Sequence, residues 1–128
     1  MHMLFAIAAG GALGALARHG LAGFVGKYSW QTFPIGILSA NILGCLLMGT
    51  LIELLALKLQ MSPAMRAFLV VGFLGAMTTF SSFALEAVLL YEKGALWQGF
   101  TYVAVSVLGS LGALCLGLII TRCLIGLA

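Results

Sequence analysis

The chain has 128 residues, of which 63% are hydrophobic and only 7% are charged, and its net charge is +3. Soluble domains carry roughly 25% charged residues, so this composition excludes a soluble domain and indicates a membrane protein. The positive residues are scattered singly and form no basic patch, and we therefore expect no binding of nucleic acid.

Four apolar stretches are each long enough to cross a bilayer as a helix, which takes about 20 residues. In chain order they cover residues 4–24, 33–57, 68–91 and 100–125. The connections between them are short. We therefore predict an all-α membrane protein in which residues 1–128 form a single four-helix transmembrane domain. Four slender helices can scarcely enclose a hydrated path, so we also expect oligomerisation.

The Lys and Arg residues divide evenly between the two sides of the membrane, because four spans put both termini on one side. The two groups are Lys58, Arg66 and Arg122 on the side of the termini, and Arg18, Lys27 and Lys93 on the other. An imbalance of these residues sets orientation. An even division permits insertion both ways and an antiparallel pair of identical subunits, although the N-terminal amine or helper proteins could equally decide the orientation.

The first two spans contain features of close packing and one amide. In "GGALG", Gly10 and Gly14 have the GxxxG spacing that lets membrane helices approach closely. Asn41 is the carboxamide of the second span. An amide in a membrane helix either joins helices or lines a polar path, and the residue alone leaves both uses open.

The third span contains "GAMTTFSSF", residues 75–83, where hydroxyl groups and two phenylalanines follow Gly72 and Gly75. The residues allow the helix to break here, because glycine tolerates non-helical dihedrals and the hydroxyls of Thr78 and Thr79 can cap the restarted half. A simple kink with hydroxyls bonded back to the helix is the alternative. A break would free backbone carbonyls, which need partners in a bilayer.

Polar and aromatic side chains recur on single faces of the last two spans. Tyr102, Ser106 and Ser110 follow the i, i+4, i+8 spacing of one helical face. Phe80 and Phe83 share a face of the third span. Neutral amide and hydroxyl donors suit a small anion, since conduction needs binding weak enough to release the ion. Ring edges carry the positive part of the aromatic quadrupole. The stripes therefore favour an anion path, although each serine alone would be structural.

Four segments together resemble the fluoride channel family known as Fluc or CrcB, over essentially the whole chain. They are "GGALGALAR", "NILGCLLMGT", "GFLGAMTTFSSFALE" and "VSVLGS". The third is the most specific, with two phenylalanines three apart after Gly-x-x-Thr. The resemblance implies a fluoride-specific channel that exports fluoride passively and lowers its cytoplasmic concentration. It also implies an antiparallel, dual-topology homodimer in the inner membrane of a bacterium, with the third helix broken near its middle.

The same resemblance implies roles for individual residues. A structural Na⁺ that is not transported would lie at the dimer centre, held by the backbone carbonyls of Gly75 and Thr78 from both subunits. Arg18 and Glu86 would act on the approaches to the pore. Some relatives carry His where this chain has Ser106. The residues implied to line the fluoride pore are Asn41, Phe80, Phe83, Ser81, Ser82, Tyr102, Ser106 and Ser110.

Other classes of protein fit the sequence less well. A small multidrug-type, proton-coupled transporter also has four short helices, but it needs an acidic residue in the first span, and residues 4–24 contain none. A purely structural membrane subunit is a further alternative. An enzyme is not expected, because no nucleophile has an adjacent base: His2 and His19 lie near or beyond the ends of the first span.

Overall fold

The computed structural model describes residues 1–28 and 33–126. Within these ranges, four helices are long and apolar enough to cross a membrane. We number them α1 (His2–Gly26), α2 (Ile35–Leu57), α3 (Pro63–Glu92) and α4 (Leu96–Gly126). The predicted all-α fold with four spans is confirmed, and the chain is a multi-pass membrane protein.

The third span starts earlier than its apolar stretch predicted. The prediction began at residue 68, whereas α3 begins at Pro63. Ser62 is the N-cap, and its Oγ accepts a hydrogen bond from the Met65 N–H at 3.2 Å. Proline suits the first helical position because its missing N–H would have no partner there. Hydrophobicity marks the part of a helix that lies in lipid, and the cap adds a turn beyond it.

The other helices deviate less from their predicted bounds. α4 begins at Leu96 rather than residue 100, shortly after Gly94, whose φ of 73° makes the turn out of α3. α1 extends the predicted 4–24 by two residues at each end. α2 begins at Ile35, two residues later than predicted.

α3 is interrupted at Thr78 and Thr79, whose φ/ψ values of −88°/149° and −151°/124° are extended. We call residues 63–77 α3a and Phe80–Glu92 α3b. The third span is therefore bent by a true interruption of its helical backbone.

The predicted location of the break was right, but the glycines are not its cause. Gly75 has helical dihedrals of −63° and −34°, and Gly72 lies within a π-helical part of α3a, Ala67–Leu74. The extended dihedrals fall on the threonines, and any residue can adopt them. Thr78 also bonds back to the Leu74 carbonyl through Oγ1 at 3.1 Å. The hydroxyl-to-carbonyl bond that was expected for a simple kink is therefore present together with the break.

α1 packs on α3a with backbone against backbone. A β-carbon on Gly14 would lie 2.9 Å from the carbonyl carbon of Phe73, and one on Gly72 would lie 2.9 Å from the α-carbon of Gly10. Real β-carbons do not approach other atoms so closely. The close contact predicted from the GxxxG spacing is confirmed.

α2 packs on α4 through a second seam of glycines. A β-carbon on Gly49 would lie 3.0 Å from the carbonyl carbon of Leu114, and one on Gly117 would lie 2.8 Å from the Thr50 nitrogen. Large apolar side chains cover the outside of the helices, and Phe5 and Leu108 are two exposed examples. A surface of this kind is suited to lipid.

Candidate functional site

Most of the predicted pore residues lie around one groove of about 480 Å³, beside the break in α3. Their side chains come from α2, α3 and α4, which the fold brings together. The predicted residues in its wall are Asn41, Gly75, Thr78, Phe80, Phe83, Ser106 and Ser110. The remaining lining residues are Cys45, Thr79, Val107 and Leu111.

Asn41 binds the backbone of the break. Its Oδ1 accepts a hydrogen bond from the Thr79 N–H at 2.8 Å, and its Nδ2 donates to the Thr79 carbonyl at 3.1 Å. A backbone N–H only donates and a carbonyl only accepts, so these partners fix which way the amide points. One of the two N–H groups on Nδ2 is used, which leaves the other for the groove. Asn41 therefore joins α2 to the break in α3, and it also borders the groove.

Thr79 caps the restarted helix α3b. Its Oγ1 accepts a hydrogen bond from the Ser82 N–H at 3.2 Å, so the predicted capping by a hydroxyl is confirmed. The same oxygen lies 3.2 Å from Ser81 Oγ and 3.3 Å from Ser82 Oγ. Ser81 and Ser82 thus form a hydroxyl cluster at the start of α3b and lie outside the lining of the groove.

Arg18 reaches from α1 to the break. Its Nε donates to the Ala76 carbonyl in α3a at 3.2 Å, and its Nη1 donates to Ser82 Oγ in α3b at 3.2 Å. The side chain is half-buried. The sequence prediction assigned Arg18 to the approaches of the pore, whereas the structure puts its guanidinium against the two halves of α3.

An aromatic row runs from the groove into the protein. The Phe80 and Phe83 ring centroids are 5.3 Å apart, and those of Phe83 and Tyr102 are 5.5 Å apart. Phe33 then meets Tyr102 edge to face, at 5.7 Å and 84°. Edge-to-face rings present their positive edges to a neighbour's negative face. The row begins at the exposed Phe80 and continues through rings that are mostly or wholly buried.

Two hydroxyls on the predicted stripe of α4 are buried. Tyr102 is 0% exposed and Ser106 is 4% exposed. Neither hydroxyl meets the geometric limits of a hydrogen bond with any residue that the structure describes. The two hydroxyls lie one helical turn apart and interact with each other, and each keeps hydrogen-bonding capacity for a water or an ion that reaches it. Ser106 lines the groove, and Tyr102 lies behind Phe83.

Glu86 lies one turn beyond Phe83 and away from the groove. It lines a second cavity of about 260 Å³ together with Gly26, Phe33 and Pro34, between the end of α1 and the start of α2. Phe33 belongs both to this cavity and to the aromatic row. The row therefore connects the groove with the cavity that contains Glu86.

An ion pair at the far end of α2 and α4 was missed from the sequence. Arg122 donates from Nε to Glu53 Oε1 at 2.8 Å and from Nη2 to Oε2 at 3.2 Å. The Glu53 side chain is 8% exposed, and that of Arg122 is 68% exposed. An acidic residue inside an apolar span was the available signal, because such a residue is usually paired.

The fold defines a small multi-pass membrane protein with a partly polar groove beside the break in its third span. The chain belongs to the CrcB-like family, since residues 5–118 match the family described as "CrcB-like protein, Camphor Resistance (CrcB)". The family resemblance stated from the sequence is confirmed.

Several relatives that match nearly the whole chain are named fluoride-specific ion channel FluC. The one from Stutzerimonas stutzeri (strain A1501) is 44% identical over 122 residues, which are 95% of this chain and 98% of the relative. The one from Rhodospirillum centenum (strain ATCC 51521 / SW) is also 44% identical, over 95% of this chain and 97% of its own. The one from Agrobacterium fabrum (strain C58 / ATCC 33970) is 43% identical over 91% and 93%.

Proposed function

We propose that this chain is a fluoride-specific ion channel, through which fluoride leaves the cell passively so that its cytoplasmic concentration stays low. The observation that carries this proposal is the near-complete match to relatives named fluoride-specific ion channel FluC. The chain is a channel protein and not an enzyme.

The chemistry of the groove supports an anion as the transported ion. Its wall offers the second N–H of Asn41, the hydroxyls of Ser106 and Ser110, and the rings of Phe80 and Phe83. Each of these groups is neutral, so each can replace part of the ion's hydration without holding the ion too strongly for release.

We propose that two copies assemble in antiparallel orientation, as a dual-topology homodimer. Gly75 and Phe80 are exposed on a single chain although they line a groove that also contains polar groups. Backbone and amide groups do not face hydrocarbon when a better partner exists. A second copy would cover this face, and the even division of Lys and Arg supports insertion in both orientations.

The residues at the break fit the structural Na⁺ that the resemblance implies. Extended dihedrals remove the helical hydrogen bonds across the break and free the carbonyls of residues 75–78. Arg18 satisfies the Ala76 carbonyl, whereas Gly75 and Thr78 line the groove. A hard cation prefers oxygen ligands, and no group of three or more His, Cys, Asp and Glu suited to a metal occurs in the described residues. When bound, Na⁺ would supply positive charge to carbonyls that have lost their helical partners, and it would not be transported.

The proposed location is the inner membrane of a bacterium. The four apolar helices support a multi-pass membrane protein, and the relatives come from bacteria. A passive channel there would let fluoride leave along its own gradient.

A flux assay on the purified protein tests the proposed function. Liposomes loaded with equal concentrations of potassium fluoride and potassium chloride are diluted into a solution free of both anions, and valinomycin then provides a path for K⁺. Ion-selective electrodes follow the two anions. We expect fluoride to leave and chloride to stay. Absence of fluoride efflux, or equal efflux of both anions, would refute the proposal. Uptake of a lipophilic cation driven by a pH gradient would instead identify a proton-coupled transporter.

A further inference from the structure

The break in α3 creates backbone groups that the rest of the chain has to satisfy. In a continuous helix the Ala76 carbonyl would accept a hydrogen bond from the N–H four residues later. It has no such partner here, because Thr78 and Thr79 are extended. In a bilayer, water is not present to replace that partner. The Arg18 guanidinium makes the hydrogen bond instead.

The Arg18 guanidinium bonds to both sides of the break at once. Nε donates to Ala76 in α3a, and Nη1 donates to Ser82 in α3b. A guanidinium is planar and rigid, so two such bonds fix the direction from one acceptor to the other. The two halves of α3 are thereby held in one relative orientation.

The base of this side chain is itself rigid. Arg18 follows Gly14 by one helical turn on α1, and Gly14 packs directly against the backbone of Phe73 in α3a. From Ser82, hydrogen bonds continue to Thr79 Oγ1 and from the Thr79 backbone to Asn41 in α2. A connected set of hydrogen bonds therefore joins α1, both halves of α3, and α2.

We propose that Arg18 is a positioning residue, which sets the angle between α3a and α3b and so the direction of the carbonyls of Gly75 and Thr78. Its two-pronged hydrogen bonding is the feature that matters, more than its positive charge. The consequence for transport rests on the proposed fluoride channel function. The consequence for the backbone of the break does not.

Arg18→Lys distinguishes a role of the positive charge from a role of the two hydrogen bonds. Lysine keeps the charge but lacks the planar guanidinium that makes both bonds at once. A residue that acts only through positive potential would tolerate this change. A residue that holds the break would not. Ser82 tests the same contact from the other side, since Ser82→Ala removes the acceptor of Nη1 and Ser82→Thr keeps a hydroxyl there.

The test uses the full chain in lipid nanodiscs for hydrogen–deuterium exchange and in liposomes for fluoride flux. In Arg18→Lys we expect exchange over residues 78–82 to rise by about tenfold, as for the loss of a charged hydrogen bond, and flux to fall. Ser82→Ala should raise the same exchange, Ser82→Thr should not, and Arg18→Lys combined with Ser82→Ala should add little to Arg18→Lys alone. Arg66→Lys, at an exposed position in α3a, is the matched control.

Two results would overturn the proposal. One is wild-type exchange over residues 78–82 in both Arg18→Lys and Ser82→Ala. The other is full flux in Arg18→Lys with loss of flux in Arg18→Gln, which would assign the role to charge. The absence of flux in the wild-type protein would refute the proposed function instead, and the exchange measurement would still decide on Arg18.

Discussion

Phe80 and Phe83 are three residues apart and have different surroundings. Phe80 is 78% exposed, and Phe83 is 8% exposed and stacks near Tyr102 at 5.5 Å. Both rings line the groove, but only Phe83 is also part of the packed interior. A change at Phe80 therefore acts mainly on the groove, whereas a change at Phe83 acts on the groove and on the packing of the chain's interior.

We expect Phe80→Ile to lower fluoride flux sharply with less loss of thermal stability than Phe83→Ile, because it removes the ring edge and keeps an apolar side chain at an exposed position of the chain. Phe83→Ile should lower flux and also destabilise the protein by about 1 kcal/mol through the altered packing. Liposome flux and the midpoint of thermal unfolding measure the two effects. Wild-type flux in both variants would show that the two rings serve only in packing and do not line the anion path.

The Glu53–Arg122 pair should respond unequally to loss of either partner. The Arg122 side chain is mostly exposed, whereas the Glu53 side chain is buried. We expect Arg122→Ala to destabilise the protein more than Glu53→Gln, because it leaves a buried charge without a partner. Thermal unfolding in a single detergent checks the order. Equal destabilisation by the two variants would contradict it.

At the scale of the helical elements, the cap of α3b is the clearest local determinant of the break. Thr79 supplies both the extended backbone and the capping oxygen. We expect Thr79→Ala to cost about 1 kcal/mol, and Thr79→Ser to cost much less because it keeps the hydroxyl. Unfolding midpoints of the two variants give the comparison. An unchanged midpoint in Thr79→Ala would mean that Asn41 and Arg18 hold the break without the cap.

The elements themselves could be predicted from the sequence, and so could the place of the irregularity within "GAMTTFSSF", because length, hydrophobicity and capping are local properties. The residues alone did not decide between a kink and a break. The contacts that satisfy the break could not be predicted. Arg18 and Ala76 are 58 residues apart and Asn41 and Thr79 are 38 apart, so their meeting depends on how each helix is rotated about its axis. The π-helical turns at Ala67–Leu74 occur in a run of apolar residues without a distinguishing pattern.

At the scale of the whole molecule, the structure divides the positive residues into those that bind within the fold and those that do not. Arg18 bonds within the break and Arg122 pairs with Glu53. The exposed positive residues left over are Lys27 and Lys93 on one side, and Lys58 and Arg66 on the other. The division is again even, so a single added charge should be enough to change the orientation.

We expect Gln60→Lys and Gln98→Lys to bias insertion in opposite directions, because these exposed positions lie at opposite ends of the spans. Each variant alone should give mainly one orientation of a C-terminal tag and little fluoride flux. Co-expression of the two should restore flux by supplying an antiparallel partner. Full flux from Gln60→Lys alone, in a single orientation, would contradict the antiparallel assembly.

The pairing of the glycine seams has a consequence for the order in which the chain is made. The seam of α1 meets α3a, and the seam of α2 meets α4. Each of the first two spans therefore leaves the ribosome before its tightest partner has been synthesised. During this interval the first two spans have only each other as partners, through the close approach of Gly36 to Ala22, and both seams are still open. Both seams therefore close only when the second pair of spans arrives, and the tightest packing of the molecule forms last.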